Sequence, residues 1–330
     1  MARRRTRWLS RLLPPLLILV ILLGGGAALI TYAGASPETP IWELRRYKEI
    51  GYVHSFKADL IDELPGPPQL MLIGGSRTTR LEPDFVTQLT GLSAMNCAVS
   101  NCKPEDVWAF TNYLYSRAPN NKLRLVWGMQ VGSLTDTTFA QGLIYDRRLS
   151  QWFPPTLIAE QKERRGEPGI KNLLAINRFT ERGMLEYTRY DRDRERGLTL
   201  EQSLDKWIPT QVEKRTQVAA RSTTRAKAYF EQVMALCNSQ GVIPCIIIMP
   251  IQPRALAAFR QVPAWTEQYA QFKRYLKQQR TRYRFRVLDY TDIAAFDGDA
   301  EEFYDGAHIT VENSRLLLSK AVEEAPECFR

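Results

Sequence analysis

Histidine is nearly missing from this chain: only His54 and His308 occur in 330 residues. Any chemistry that needs an imidazole base near neutral pH must therefore use one of these two. Cysteine is also scarce, and Cys97, Cys102, Cys237, Cys245 and Cys328 include no C-x-x-C pair. With so few histidines beside them, a structural zinc site has little to be built from. Cys237 with Cys245 is one conceivable disulfide; buried free thiols are the other reading, and the odd count suits it. No acidic residue lies in the first 35 positions, whereas Arg3, Arg4, Arg5, Arg7 and Arg11 do. Setting those five apart from the 45 basic residues leaves 40 against 36 acidic ones, a net charge of +4. That excess is too small, and too mixed in sign, to argue for nucleic acid as a partner. Neither an internal repeat nor a low-complexity tract is present.

What is there begins with an uncharged stretch at 12–35 that includes Leu16, Leu17, Ile18, Leu19, Val20, Ile21, Leu22 and Leu23. About 20 apolar residues suffice to cross a bilayer. The arginines before it belong on the cytoplasmic side, which puts everything after Ala35 outside. A cleaved signal peptide is the rival, because Ala33-Gly34-Ala35 has a small-x-small form. The stretch is longer than the roughly 7–15 apolar residues of such a peptide, which favours a retained anchor. The chain then divides into a cytoplasmic tail (1–11), a single-pass transmembrane anchor (12–35), a proline-punctuated stalk (36–69) and an extracytoplasmic domain (70–330). His54 falls in the stalk and reads as a surface or packing residue.

From residue 70 the pattern alternates between strand and helix. Leu70, Met71, Leu72 and Ile73 run into Gly74, Gly75 and Ser76, as a buried parallel strand ending in a turn does. Further strands are expected at 93–99, 123–127 (closed by Gly128), 242–249 and 286–288. Helices are expected at 83–89, from Pro104 onward, and at 224–237, 265–279 and 311–321. Strands separated by helices imply an α/β fold: a three-layer α/β/α arrangement with a flavodoxin-like parallel sheet. The charge-rich region at about 135–215 interrupts the alternation and reads as a helical insertion. Its runs at 162–165 and 191–196 look like solvated helix faces. Trp152-Phe153-Pro154-Pro155 suggests a lid or docking surface at a functional rim.

The glycines after the first strand would present the Ser76 hydroxyl at the carboxyl edge of the sheet, where open α/β folds bind ligands. A serine becomes a nucleophile when a base takes its proton and a third group orients that base. Asp305 and His308 stand three apart in the glycine-containing turn Asp305-Gly306-Ala307-His308. Taken singly, Asp305 reads as a turn or capping residue and His308 as a hydrogen-bonded loop side chain. Taken with Ser76, they read as catalytic partners. Arg77, beside the serine, and Gln252, in the loop Pro250-Ile251-Gln252-Pro253, are candidate substrate-binding residues.

On these motifs the chain resembles the SGNH (GDSL-like) hydrolase superfamily. Gly75-Ser76-Arg77 stands where the family places its first block and Asp305-Gly306-Ala307-His308 where it places the last. The segment from Asn96 to Asn101 is similar to the second block, and Trp127-Gly128-Met129-Gln130 occupies the place of the third. The resemblance implies Ser76, Asp305 and His308 as the catalytic set, with no cofactor or metal. It implies an oxyanion hole from the N–H of Ser76 and from Asn101 and Gln130, which replace the family's glycine and asparagine. An anchored member with an external catalytic domain resembles the proteins that add acyl groups to cell-surface polymers. The activity so implied is acyl transfer, as O-acetylation or deacylation of an exported polysaccharide. A multi-pass membrane acyltransferase is the implied partner. A plain esterase, and a non-catalytic anchored protein that binds glycan or scaffolds an export complex, are the alternatives.

Overall fold

Side chains along the strands alternate between two apolar clusters, one on each face of a sheet. Met71, Ile73, Met95, Leu125, Trp127, Met129, Ile246 and Ile248 belong to one cluster. Leu70, Leu72, Ala94, Val126, Cys245, Ile247 and Leu288 belong to the other. Such period-two runs, apolar on both faces, are what a strand covered by helices on both sides requires. Burying each Val, Leu or Ile side chain is worth about 1.5–3 kcal/mol.

The protein is described here from a computed structural model covering residues 53–119, 122–135, 139–165, 177–217 and 224–330. The tail at 1–11, the apolar stretch at 12–35 and positions 36–52 lie outside the described residues. Among the described residues, no helix is long and apolar enough to cross a membrane.

The first described element, α1 (Val53–Glu63), packs onto the domain through Phe56, Ala58, Leu60 and Ile61. The segment read as a stalk therefore ends in a helix that belongs to the globular unit. His54 takes the packing role expected of it: it is buried, and its Nε2 lies 2.8 Å from Asp106 Oδ1. There follow β1 (Leu70–Gly74), α2 (Pro83–Thr90), β2 (Ala94–Asn96), α3 (Pro104–Arg117) and β3 (Arg124–Met129). The insertion comes next, with α4 (Gln141–Tyr145), α5 (Arg147–Ser150), α6 (Pro155–Arg165), the two-stranded β4 (Arg178–Phe179) and β5 (Leu185–Tyr187), α7 (Arg189–Glu195) and α8 (Leu200–Gln217). The alternation then resumes with α9 (Thr224–Ser239), β6 (Cys245–Ile248), α10 (Pro253–Arg260), α11 (Pro263–Gln279), β7 (Arg286–Asp289) and α12 (Val311–Glu324). Proline opens α2, α3, α10 and α11, where its missing N–H costs no helix hydrogen bond.

The sheet runs β2-β1-β3-β6-β7, and every pairing is parallel. This is the flavodoxin-like order, whose crossovers leave the sheet in opposite directions from β1 and β3. Helices α3, α9 and α11 cover one face, with α1 beside them; α2 and α12 cover the other. Two expectations need correcting. Gly128 does not close the third strand: β3 runs through it to Met129. Phe153 is no lid residue, since it is buried against Phe139 and Tyr229 at ring separations of 5.1 and 5.4 Å. Its two prolines start α6 instead of exposing an aromatic rim. All five cysteines are buried free thiols; Cys245 interacts with Cys328, not with Cys237.

Candidate active site

Gly74, the last residue of β1, pairs with Gly128 of β3. A Cβ at Gly74 would lie 2.3 Å from the Gly128 carbonyl oxygen and 2.3 Å from Thr78 Oγ1. One at Gly128 would lie 2.2 Å from the same Thr78 oxygen. The two glycines together leave a niche that the fully buried Thr78 side chain fills. This seats the 3-10 turn Ser76–Thr78 directly on the carboxyl ends of β1 and β3. Gly75, by contrast, has extended dihedrals and open space around it. Close approach at Gly74, not a turn needing two glycines, is what the sequence encodes here.

Asn96, at the end of β2, holds the segment after the serine. Its amide nitrogen donates to the carbonyls of Thr78 (3.0 Å), Thr79 (3.3 Å) and Leu81 (2.8 Å), and its oxygen accepts from the Ala98 N–H at 2.9 Å. The insertion fastens to the same place: the Asn96 N–H donates to Arg182 O and the Leu185 N–H to Thr79 O.

The second half of the site is the turn before α12. Phe303 and Ile309 form an antiparallel bridge across it, and the Tyr304 N–H donates to His308 O at 2.8 Å. Its middle residue, Gly306, lies under an aromatic ring: a Cβ there would fall 2.2 Å from Trp207 of α8. The Gln252 N–H donates to Gly306 O at 3.2 Å, tying the turn to the loop after β6.

Within this turn Asp305 is 2% exposed. Its Oδ1 accepts from the N–H groups of Ala307 (2.8 Å) and His308 (2.9 Å). Both carboxylate oxygens lie within 2.8–2.9 Å of His308 Nδ1. Burial by itself would raise the Asp305 pKa. The hydrogen bond and charge of His308, with the two backbone N–H groups, outweigh burial and hold it below the usual carboxylate value. An ionised carboxylate there keeps the proton on Nδ1 and leaves Nε2 as an acceptor. His308 Nε2 lies 2.9 Å from Ser76 Oγ. Ser76, His308 and Asp305 stand in a Ser–His–Asp line.

No family model matches the sequence, and a search of curated proteins finds no match either. Among solved structures the chain is similar to a "putative acylhydrolase" from Bacteroides fragilis. The two are 12% identical, with a TM-score of 0.37 and coverage of 89% of this chain and 100% of that one.

The other anticipated residues are distributed as follows. Asn101 is in the left-handed region (φ 58°) on the exposed loop after β2, where asparagine is tolerated. With Ser100, Lys103 and Glu105 it lines a small cavity of about 40 Å³. Gln130 follows β3; its N–H donates to Ser133 Oγ at 2.9 Å, and it lines a larger cavity together with Arg77. Arg77 is 8% exposed. Burial and the nearby Arg215 bring its pKa down to about 10, against the opposing charge of Asp305. Gln252 does not serve as anticipated: it is buried, and its amide oxygen caps α10 by accepting from Arg254 N (2.7 Å) and Ala255 N (3.3 Å). The residue just before a proline-started helix is at the cap position, and the Gln252 side chain is used there.

Sequence reading missed the contribution of the insertion. The Tyr190 ring of α7 lies 5.4 Å from the His308 ring, tilted by 30°. Burial and the charge of Asp305 raise the Tyr190 pKa, so it stays a neutral phenol. Asp191 accepts from Tyr304 OH at 2.6 Å and pairs with the buried Arg80. Arg194 donates to the Phe303 carbonyl and lies 4.6 Å over the Tyr304 ring. The charged run at 191–196 is thus only partly a solvated face, because one side of α7 clamps the His308 turn. The run at 162–165 is exposed throughout, as anticipated. The alternating charges of α7 carried no signal that could tell which of them turn inward. Among the described residues, no group of three or more His, Cys, Asp or Glu side chains is placed to hold a metal ion.

Proposed function

We propose that this protein transfers an acyl group through Ser76, to or from a hydroxyl of an exported cell-surface polysaccharide. The observation that carries the reading is the 2.9 Å contact between Ser76 Oγ and His308 Nε2, with Asp305 behind the imidazole. In the first half-reaction Ser76 Oγ attacks the carbonyl carbon of an ester while His308 Nε2 takes the hydroxyl proton. The tetrahedral intermediate collapses, the leaving alcohol recovers that proton from His308, and an acyl-Ser76 ester remains. In the second half, a sugar hydroxyl gives its proton to His308 and attacks the acyl-serine, and Ser76 Oγ leaves and recovers the proton from His308. Asp305 stays ionised and stabilises the imidazolium that forms in each half.

The oxyanion is read as held by the Ser76 N–H, which donates to no group among the described residues, and by Asn101 and Gln130. Each such donor is worth about 2.7–4 kcal/mol in the transition state in the best-measured case. With 12–35 as the anchor, the domain would face outward, and a multi-pass membrane acyltransferase would bring the acyl group across.

The test is labelling of the full-length protein with a fluorophosphonate probe. Ser76 is expected to react, and Ser76→Ala and His308→Ala to lose the label. Unchanged labelling in both variants would remove the reading, and a wild-type protein that is never labelled would favour a scaffold. Rapid cleavage of p-nitrophenyl acetate with no sugar present would make water the acceptor and the protein an esterase.

A further inference from the structure

Arg77 follows the nucleophile directly, yet it sits in a different environment. Its guanidinium borders a cavity of about 200 Å³ that Gln130, Lys214, Arg215 and Trp265 also line. No aspartate or glutamate is among the described residues lining this space. Arg77 is 8% exposed and makes no hydrogen bond or ion pair with any described residue. A guanidinium offers five N–H donors in a fixed plane, and those of Arg77 are not sealed away from the cavity, so they can meet a ligand there. The carboxylate whose charge reaches it is Asp305, but those oxygens already serve the His308 ring and two backbone N–H groups.

The second cation arrives from the insertion. Arg215, in the last turn of α8, has its Nη1 held by the Gln211 carbonyl (3.0 Å) and side-chain oxygen (2.8 Å). Its guanidinium lies 4.1 Å over the Phe259 ring. It is thereby aimed, not left to wander in solvent. Burial lowers the affinity of both guanidiniums for a proton, and the charge of Arg215 lowers that of Arg77 further. If Arg77 served only to balance Asp305, a second arginine at the same cavity would add repulsion and no benefit. An oxyanion between the two guanidiniums reverses that sign, because each fork matches a carboxylate or phosphate with paired hydrogen bonds.

We propose that this cavity is an anion subsite, in which Arg77 and Arg215 hold a carboxylate or phosphate group of the molecule whose ester is made or broken at Ser76. The assignment rests on Ser76 being the nucleophile, and it narrows the substrate class to acidic compounds: sugar acids or phosphate-bearing sugars, not neutral glycans. The insertion then has a chemical purpose, because it brings Arg215 to an edge that the sheet supplies with Arg77 alone.

The test uses the full-length protein with glucuronate, inorganic phosphate and glucose as probes. Binding is read by calorimetry and by protection of Ser76 from the fluorophosphonate. At least one anion should bind saturably and slow labelling, while glucose does neither; the tighter anion identifies the acidic group. Arg215→Gln should weaken that anion at least about tenfold, and Arg215→Lys, which keeps the charge but not the planar fork, should weaken it less. Arg77→Lys is the second variant should Arg215→Gln melt early, and it too should bind the anion more weakly. Labelling of Ser76 that neither anion slows, or equal anion affinity in wild type and folded Arg215→Gln, overturns the subsite. Arg215-dependent anion binding in a protein whose Ser76 is never labelled sustains the subsite and removes the nucleophile.

Discussion

Gly74 and Gly128 face one another across β1 and β3, and the Thr78 side chain occupies the space that neither glycine fills. The position of Ser76 depends on that fit, because the serine is the first residue of the turn whose third residue is Thr78. A methyl group at Gly128 would meet Thr78 Oγ1 at 2.2 Å and Met249 Sδ at 2.9 Å. Gly128→Ala should therefore destabilise the protein by about 1–3 kcal/mol, the usual cost of overpacking. It should also slow fluorophosphonate labelling of Ser76. Gly75→Ala, with nothing within 4 Å of the added carbon, should do neither. Urea melts and labelling rates on the two variants measure the contrast.

The orienting role of Asp305 is tested with Asp305→Asn. The amide preserves the shape of the side chain but favours the wrong imidazole tautomer. The expected loss is on the order of 10⁴-fold in turnover, as for the same change in the Ser–His–Asp template. Ester hydrolysis and probe labelling should fall together.

The same residue sets a pH dependence of stability. Its pKa is lower in the folded protein than its ordinary value of 3.8, so the folded state binds its proton less readily than the unfolded chain does. The stabilisation it contributes is fully present above that ordinary value and is lost as pH falls through the lower folded value. The part of the stability gap between wild type and Asp305→Asn that comes from the carboxylate should accordingly be present at pH 5 and shrink below about pH 4. Urea melts across that range report it.

Tyr190 lies against His308, and removing its ring should loosen the imidazole. Tyr190→Ala is expected to slow labelling by up to about tenfold, the equivalent of a strong aromatic pair at roughly 1.5 kcal/mol. Tyr190→Phe keeps the ring and should retain most of the wild-type rate. A Phe variant as slow as the Ala variant would mean that the hydroxyl, not the ring, matters.

His54 provides the matched control, as the other of the two histidines. It is buried beside Asp106, and His54→Asn should cost about 1–3 kcal/mol by leaving that carboxylate poorly satisfied. Probe labelling of Ser76 at a temperature where the variant is folded should match wild type.

Much of this was legible in the residues themselves. The period-two apolar runs specify strands buried on both faces, and prolines mark the starts of α2, α3, α10 and α11. Those signals are local, so the parallel α/β architecture and the pairing of Ser76 with the Asp305–His308 turn could be read along the chain. Gln252 was misread because a cap and a ligand contact ask for the same amide, and only its burial beside Arg254 and Ala255 separates them. The niche for Thr78, the Trp207 ring against Gly306, the Tyr190 ring against His308 and the meeting of Arg77 with Arg215 came from tertiary structure alone. Each joins segments far apart in sequence, and three of the four depend on where the insertion docks. A periodic pattern states which face of an element is buried. The neighbour that buries it is chosen by long-range packing, which no single stretch of the chain encodes.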